Sequence, residues 1–178
     1  MGLLLVSYNQ RYSANAEAEV WIVFSDIGDG DVKIRRTRFP GLFMVETRFN
    51  PLEAVEKLRE YLKNRPNQFK YTLKYVPIQK LVKTDLEEIK KAVEELKADI
   101  KEGETFRITV NRRGTTLDRM LVIEEVAKLI QRKVNLSHPD KIVQIEILGR
   151  KTGVSVLKPD HILSVPKLKR VLGLPEEE

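Results

Sequence analysis

Apolar and polar positions along this chain switch repeatedly between the two-residue period of a strand and the three-to-four-residue period of a helix. "LLLVSY" at residues 3–8 is a nearly unbroken apolar run and predicts a buried strand. The following "SANAEAEVWIVFSDIGDGD" is helical in its Ala/Glu-rich half and is stopped by Gly28 and Gly30. "VKIRRTRFPGLFMVET" predicts a hairpin, with strands at about 31–38 and 42–48 around a turn at Pro40-Gly41. "NPLEAVEKLREYLKNRP" carries the signs of a helix at both ends. Asn50 can cap it, Pro51 falls at the first helical position, Glu53 can close a capping box and Pro66 lies past the end. "FKYTLKYVPI" then predicts another strand. The order β-α-β-β-α-β is that of a ferredoxin-like unit and fits within about 78 residues.

A second unit begins at "KTDLEEIKKAVEELKADIKEG". Leu86, Ile89, Val93, Leu96 and Ile100 form one apolar stripe on an otherwise charged helix, which starts at Thr84 or Asp85 and ends at Gly103. A strand at 105–111 follows, with Phe106, Ile108 and Val110 on its core face and Arg107, Thr109 and Asn111 on the other. Arg112 and Arg113 fall beyond that strand, and Gly114 permits a tight turn. A helix is expected over 117–134, capped by Thr115, with Ile123, Val126, Ala127, Ile130 and Val134 inward. "KIVQIEILG" and "TGVSVLK" predict two more strands joined at Arg150-Lys151, and the tail adds a short basic helix that frays in its glutamates. The fold class expected is α+β: a ferredoxin-like domain over residues 1–80, then an α/β domain over 81–178, with the boundary near 79–84.

Composition narrows the chemistry. The 178 residues are 42% hydrophobic and 33% charged, enough for a buried core under a highly charged surface. No cysteine is present, which excludes disulfides and cysteine-based zinc or nucleophile chemistry and fits a cytoplasmic protein. The short apolar run at the N-terminus has no basic region before it, so it is not expected to be a signal peptide. No stretch approaches the roughly 20 apolar residues of a membrane span. His138 and His161 stand alone, and neither a phosphate-binding Gly-rich loop nor a nucleophile elbow occurs. Neither a catalytic site nor a cofactor is expected.

The net charge of +6 is unevenly placed. Residues 1–80 carry net +4, residues 81–103 net −2 and residues 104–170 net +7, before three glutamates close the chain. The most basic segment therefore begins with "FRITVNRRGTTLDRM". Two guanidiniums at a strand-to-helix turn, next to helix N–H groups, suit a phosphate or an unpaired base. The pattern alone leaves a second reading open, in which Arg112 and Arg113 are solvated and Arg107 pairs with Glu146 on a neighbouring strand.

"FRITVNRRG", the helix after it, "KVNLSHPDKIVQIEILG" and "TGVSVL" together resemble the THUMP domain, an RNA-binding module of tRNA-modifying proteins. The motif "V-[DN]-L-x-x-P-D" corresponds to Val134 through Asp140, with Asn135 where Asp is more usual, and "V-x-[VI]-E-I" to Val143 through Ile147. The resemblance covers residues 83–160, and a ferredoxin-like domain commonly precedes this module. A chain ending at residue 178 leaves no room for the catalytic domain of most such proteins. It is most similar to stand-alone relatives of the yeast tRNA acetylation adaptor. The resemblance implies a non-catalytic tRNA-binding adaptor that grips the acceptor stem and single-stranded 3′ end for a separate enzyme, an N4-acetylcytidine acetyltransferase or another tRNA-modifying enzyme. It points to Arg107, Asn111, Arg112, Arg113, Lys141, Arg150 and Lys151 as RNA contacts. Two alternatives remain at this point: a scaffold for an RNA enzyme without RNA contact, and a small RNA-modifying enzyme with an unrecognised site.

Overall fold

A computed structural model describes residues 1–174, so the expected fraying of Glu176, Glu177 and Glu178 lies outside the described residues. The chain divides into two compact units, one from Met1 to Pro77 together with the C-terminal segment from His161, the other from Ile78 to Asp160.

The first unit runs β1 (Gly2–Tyr8), α1 (Ser13–Asp26), β2 (Lys33–Arg36), β3 (Leu42–Thr47), α2 (Pro51–Asn64) and β4 (Thr72–Ile78). The last residue of β4 already belongs to the second unit. This is the β-α-β-β-α-β order expected, and β1 pairs antiparallel with β3, which pairs antiparallel with β2. Asn50 caps α2 as its sequence implies, its side chain accepting from the Leu52 N–H at 2.9 Å, with Pro51 at the helix start. Ala54, Val55, Leu58 and Leu62 then point into a core with Val20, Val23, Phe24, Phe43 and Tyr75. Glu19 of α1 is an exception on the inward face. It is 6% exposed and accepts hydrogen bonds from the N–H groups of Lys70 at 2.6 Å, Tyr71 at 3.1 Å and Thr72 at 2.8 Å, and from the Thr72 hydroxyl at 2.5 Å. A buried carboxylate here is stabilised by a full set of donors on the approach to β4.

The second unit runs β5 (Lys80–Lys83), α3 (Leu86–Leu96), β6 (Thr105–Arg113), α4 (Arg119–Ala127), β7 (Lys133–Val134), β8 (Lys141–Leu148) and β9 (Lys151–Leu157). Its sheet has the order β5-β9-β8-β6-β7, with β6 parallel to β8 and β7, and β9 antiparallel to both β8 and β5. Asp85 caps α3 by accepting from the Glu88 N–H. Ile89 and Val93 of α3 and Val122 and Val126 of α4 cover one face of the sheet, packing on Phe106, Val110, Val143, Ile145, Val154 and Val156.

Five expectations need correction. The charged helix expected to end at Gly103 spans only Leu86–Leu96. The strand expected to end at 111 continues through Arg112 and Arg113, because Arg112 pairs with Ile147 and Arg113 with Leu148. The helix expected over 117–134 spans only Arg119–Ala127, and its cap is Asp118, which accepts from the Leu121 N–H at 2.8 Å, rather than Thr115. Lys133 and Val134 instead extend the sheet beside Thr105 and Phe106, leaving Val134 58% exposed. The chain from 161 does not stay with the second unit. Leu163 and Ser164 form β10 (Leu163–Ser164) against Tyr75 and Lys74 of β4, and α5 (Val165–Val171) follows. Buried Leu163 and Val165 join the first unit's core, which holds the segment there.

Candidate nucleic-acid interface

Strand alternation separates the two arginines that looked like one feature. Phe106, Ile108 and Val110 face the helices and so, at the strand's end, does Arg112. Arg107, Thr109, Asn111 and Arg113 line the opposite face. Arg112 is exposed, and its guanidinium donates to the Leu117 carbonyl at 2.9 Å, bracing the 114–118 connection that leads into α4. Gly114, at φ +64°, makes the left-handed step that lets the chain leave the sheet there. Arg113 meets Glu146 of β8 at 3.0 Å. The expected arrangement, two guanidiniums side by side at a helix N-terminus, is therefore not formed.

On the face away from the helices the register aligns β6 with β8, so Thr109 is opposite Gln144, Asn111 opposite Glu146 and Arg113 opposite Leu148. Glu146 is 2% exposed and acts as the hub of this face. One carboxylate oxygen accepts from the Asn111 amide and the Gln144 amide, each at 2.9 Å, and the other from Arg113. The carboxylate thus orients three donors at once, and Arg113, with 28% of its side chain exposed, sits at the hub's solvent edge. Glu146 pairs with Arg113 and Asn111, whereas Arg107 donates to the Leu136 carbonyl at 3.1 Å. Next to this hub, Gly153 of β9 has no Cβ because one would lie 2.7 Å from the Ile78 side chain, which occupies that space.

The remaining sequence-derived residues divide into two kinds. Arg150 and Lys151 are exposed at the β8–β9 turn, which is made by Gly149 and Arg150 rather than by Arg150 and Lys151. Lys141 is 8% exposed, and its ammonium is spent inside the fold on the Asp99 carbonyl and on the Glu104 carboxylate at 2.9 Å. The Lys141 hydrogen bond, and then that from the Lys101 N–H, hold the Glu104 carboxyl below the ordinary carboxylate range. Lys141 is a structural cation in this geometry, and the sequence around "HPDK" holds no sign of it, since its partners lie far away in the chain.

Lys83 is a residue that sequence reasoning misses. It closes β5 directly opposite Lys151 of β9, and both side chains are exposed. Alternation puts them on the face that carries Arg113, so the register row across this end of the sheet reads Lys83, Lys151, Leu148, Arg113. The only trace of this in the sequence is the short alternation of "KLVK". Among the described residues there is no group of three or more His, Cys, Asp or Glu side chains placed to hold a metal ion. No helix of the described residues is long and apolar enough to cross a membrane.

Residues 83–157 match the family model of the THUMP domain. The chain contains a THUMP domain. It starts at Lys83 and ends at Leu157, so the hub around Glu146 and the whole basic row fall within it. A curated protein described as uncharacterized, MJ0421 of Methanocaldococcus jannaschii, is 33% identical over 92 residues, 49% of this chain and 26% of the relative. Among solved structures, PH1313 from Pyrococcus horikoshii superposes with a TM-score of 0.66 at 20% identity, covering 89% of this chain and 55% of that one. TrmN from Thermus thermophilus gives 0.56 at 14% identity, over 90% and 47%. A 4-thiouridine synthetase–RNA complex with bound ATP gives 0.55 at 16% identity, over 89% and 42%. These likenesses are of fold. The chain spans about a quarter of the length of the curated relative and about half that of the solved structures.

Proposed function

We propose that this chain is a tRNA-binding adaptor that has no chemistry of its own and presents tRNA to a separate modifying enzyme. The observation that carries the reading is the cationic end of the THUMP sheet, where Arg113 and Lys151 lie on one face, Arg112 on the other and exposed Arg150 in the adjoining turn. Cations at this spacing suit the phosphates of a single strand, and arginine can also stack on an unpaired base. The proposed ligand is the acceptor stem with its single-stranded 3′ end. Arg107 and Asn111 lie along the same strand as Arg113, and Lys141 serves by holding the start of β8 in place. One protein of similar fold was solved with RNA bound, which supports the ligand class. The first unit would supply further surface for tRNA or for the enzyme.

The proposed partner is an RNA acetyltransferase that forms N4-acetylcytidine, acting in the cytoplasm. Nucleoside analysis of tRNA tests this division of labour. Incubated with the purified chain alone, tRNA should remain unmodified, whereas adding the chain to the acetyltransferase should raise its yield of N4-acetylcytidine. A modified nucleoside formed by the chain alone would overturn the adaptor reading.

A further inference from the structure

The cation pairing in the second unit is uneven. Lys80 is paired with Glu95 at 2.5 Å, Lys97 with Glu94 at 3.0 Å, Lys128 with Glu125 at 3.0 Å and Lys141 with Glu104 at 2.9 Å. Lys90 lies between Glu87 and Glu125. Lys83 and Lys151 have no such partner among the described residues, yet they are directly opposite each other across two antiparallel strands. Residues so placed have Cβ atoms about 5 Å apart, and like charges there are destabilising. The backbone holds their Cα atoms opposite each other. The Thr84 N–H donates to the Arg150 carbonyl at 2.8 Å, and the Thr84 and Thr152 hydroxyls are 2.8 Å apart, which fastens the strand ends on either side of the pair. Arg150, in the adjoining turn, brings a third exposed cation to the same corner.

We propose that Lys83 and Lys151 form a binding site for an RNA phosphate, and that the RNA strand crosses the end of the sheet from Arg113 on β6 to Lys83 on β5. The proposal rests on the tRNA-binding reading and adds to it a residue and a direction. With neighbouring strands about 4.8 Å apart, three strand steps separate Arg113 from Lys83, a span of roughly 14 Å that reaches more than one phosphate of an extended strand. An anion between the lysines relieves their repulsion, so the pair is strained without RNA and neutralised with it.

Titration of the full chain with tRNA over a series of salt concentrations, alongside thermal melting without RNA, tests this in Lys83→Met, Lys151→Met and Lys83→Arg. Each methionine variant should lower the slope of log K against log salt by about 0.7, which over the decade from 1 M to 0.1 M is about fivefold in affinity. Melting temperature without RNA should stay level or rise in both, since the repulsion is removed. Lys83→Arg should keep the wild-type slope. If wild-type binding is steeply salt-dependent and Lys83→Met leaves the slope unchanged, the phosphate site is overturned and the tRNA reading stands. A fall in melting temperature on Lys83→Met would likewise overturn the strained pair. Wild-type protein that shows no salt-dependent binding of tRNA would overturn both.

Discussion

Replacing Glu146 with alanine should lower the melting temperature of the second unit, at a cost of about 2–3 kcal/mol. The carboxylate is 2% exposed and satisfies Arg113, Asn111 and Gln144 together. Its removal leaves a partly buried guanidinium and two amides without acceptors, and breaking a buried pair from one side costs a few kcal/mol. For a unit of this size that corresponds to a fall of roughly 10 °C or more, measurable by thermal melting. A fall of under 2 °C would mean that the hub is not formed. The same geometry bears on any alanine scan of the interface. Arg113→Ala strands the Glu146 charge and should destabilise the fold as well as weaken RNA binding. Arg112→Ala removes only an exposed donor to the Leu117 carbonyl and should leave the melting temperature within about 2 °C. Binding losses at Arg113 are thus interpretable only beside Arg113→Ala combined with Glu146→Gln, in which the stranded charge is gone.

Glu19→Ala should have an effect at least as large, in the first unit. Three consecutive backbone N–H groups, of Lys70, Tyr71 and Thr72, and the Thr72 hydroxyl all donate to this one carboxylate. Without it the Thr72 N–H and hydroxyl are left in the interior, and each unsatisfied buried donor costs about 1–3 kcal/mol, for a total of about 3 kcal/mol or more. Tyr75, whose hydroxyl donates to the Thr72 hydroxyl at 2.9 Å and whose ring lies in the core, would lose its anchor as well. Thermal melting should show a fall of about 12 °C or more. Glu19→Gln keeps the two acceptor lone pairs of its carbonyl but places an amide against donors, so it should fall between alanine and wild type. A Glu19→Ala protein that melts like wild type would show that these bonds do not support the approach to β4.

Local signals in the sequence are followed closely by the structure, and interactions distant in the chain account for the differences. Asn50-Pro51 and Asp85 mark helix starts through bonds a few residues long, and both helices begin there. Phe106 and Val110 alternate into the core as their spacing implies. The end of β6 depends on β8, some 35 residues later: the Gly149 N–H donates to the Arg113 carbonyl at 2.7 Å, and nothing near Arg113 encodes that. Ile130 keeps the helical period of Val122 and Val126, so "LIQRKV" carries no stop signal, yet pairing with Thr105 and Phe106 draws Lys133 and Val134 into the sheet. Four residues of alternation in "KLVK" are too few to mark a strand, and it is β9 that makes one of them. For the candidate site, the residue types are legible and their grouping is not. Arg112 and Arg113 are adjacent in sequence but lie on opposite faces, Lys141 is turned inward by partners about 40 residues away, and Lys83 joins the row only through its partner across the sheet.

The central claim, that this chain grips the single-stranded end of tRNA, is tested most directly on the RNA, where no substitution can disturb the protein. Wild-type protein would be titrated with intact tRNA and with the same tRNA lacking its single-stranded 3′ end, each over a range of salt concentrations. The account predicts weaker binding of the trimmed tRNA and a shallower slope of log K against log salt, by about 0.7 for each phosphate that the protein no longer holds. Equal affinity and equal slope for the two RNAs would contradict it.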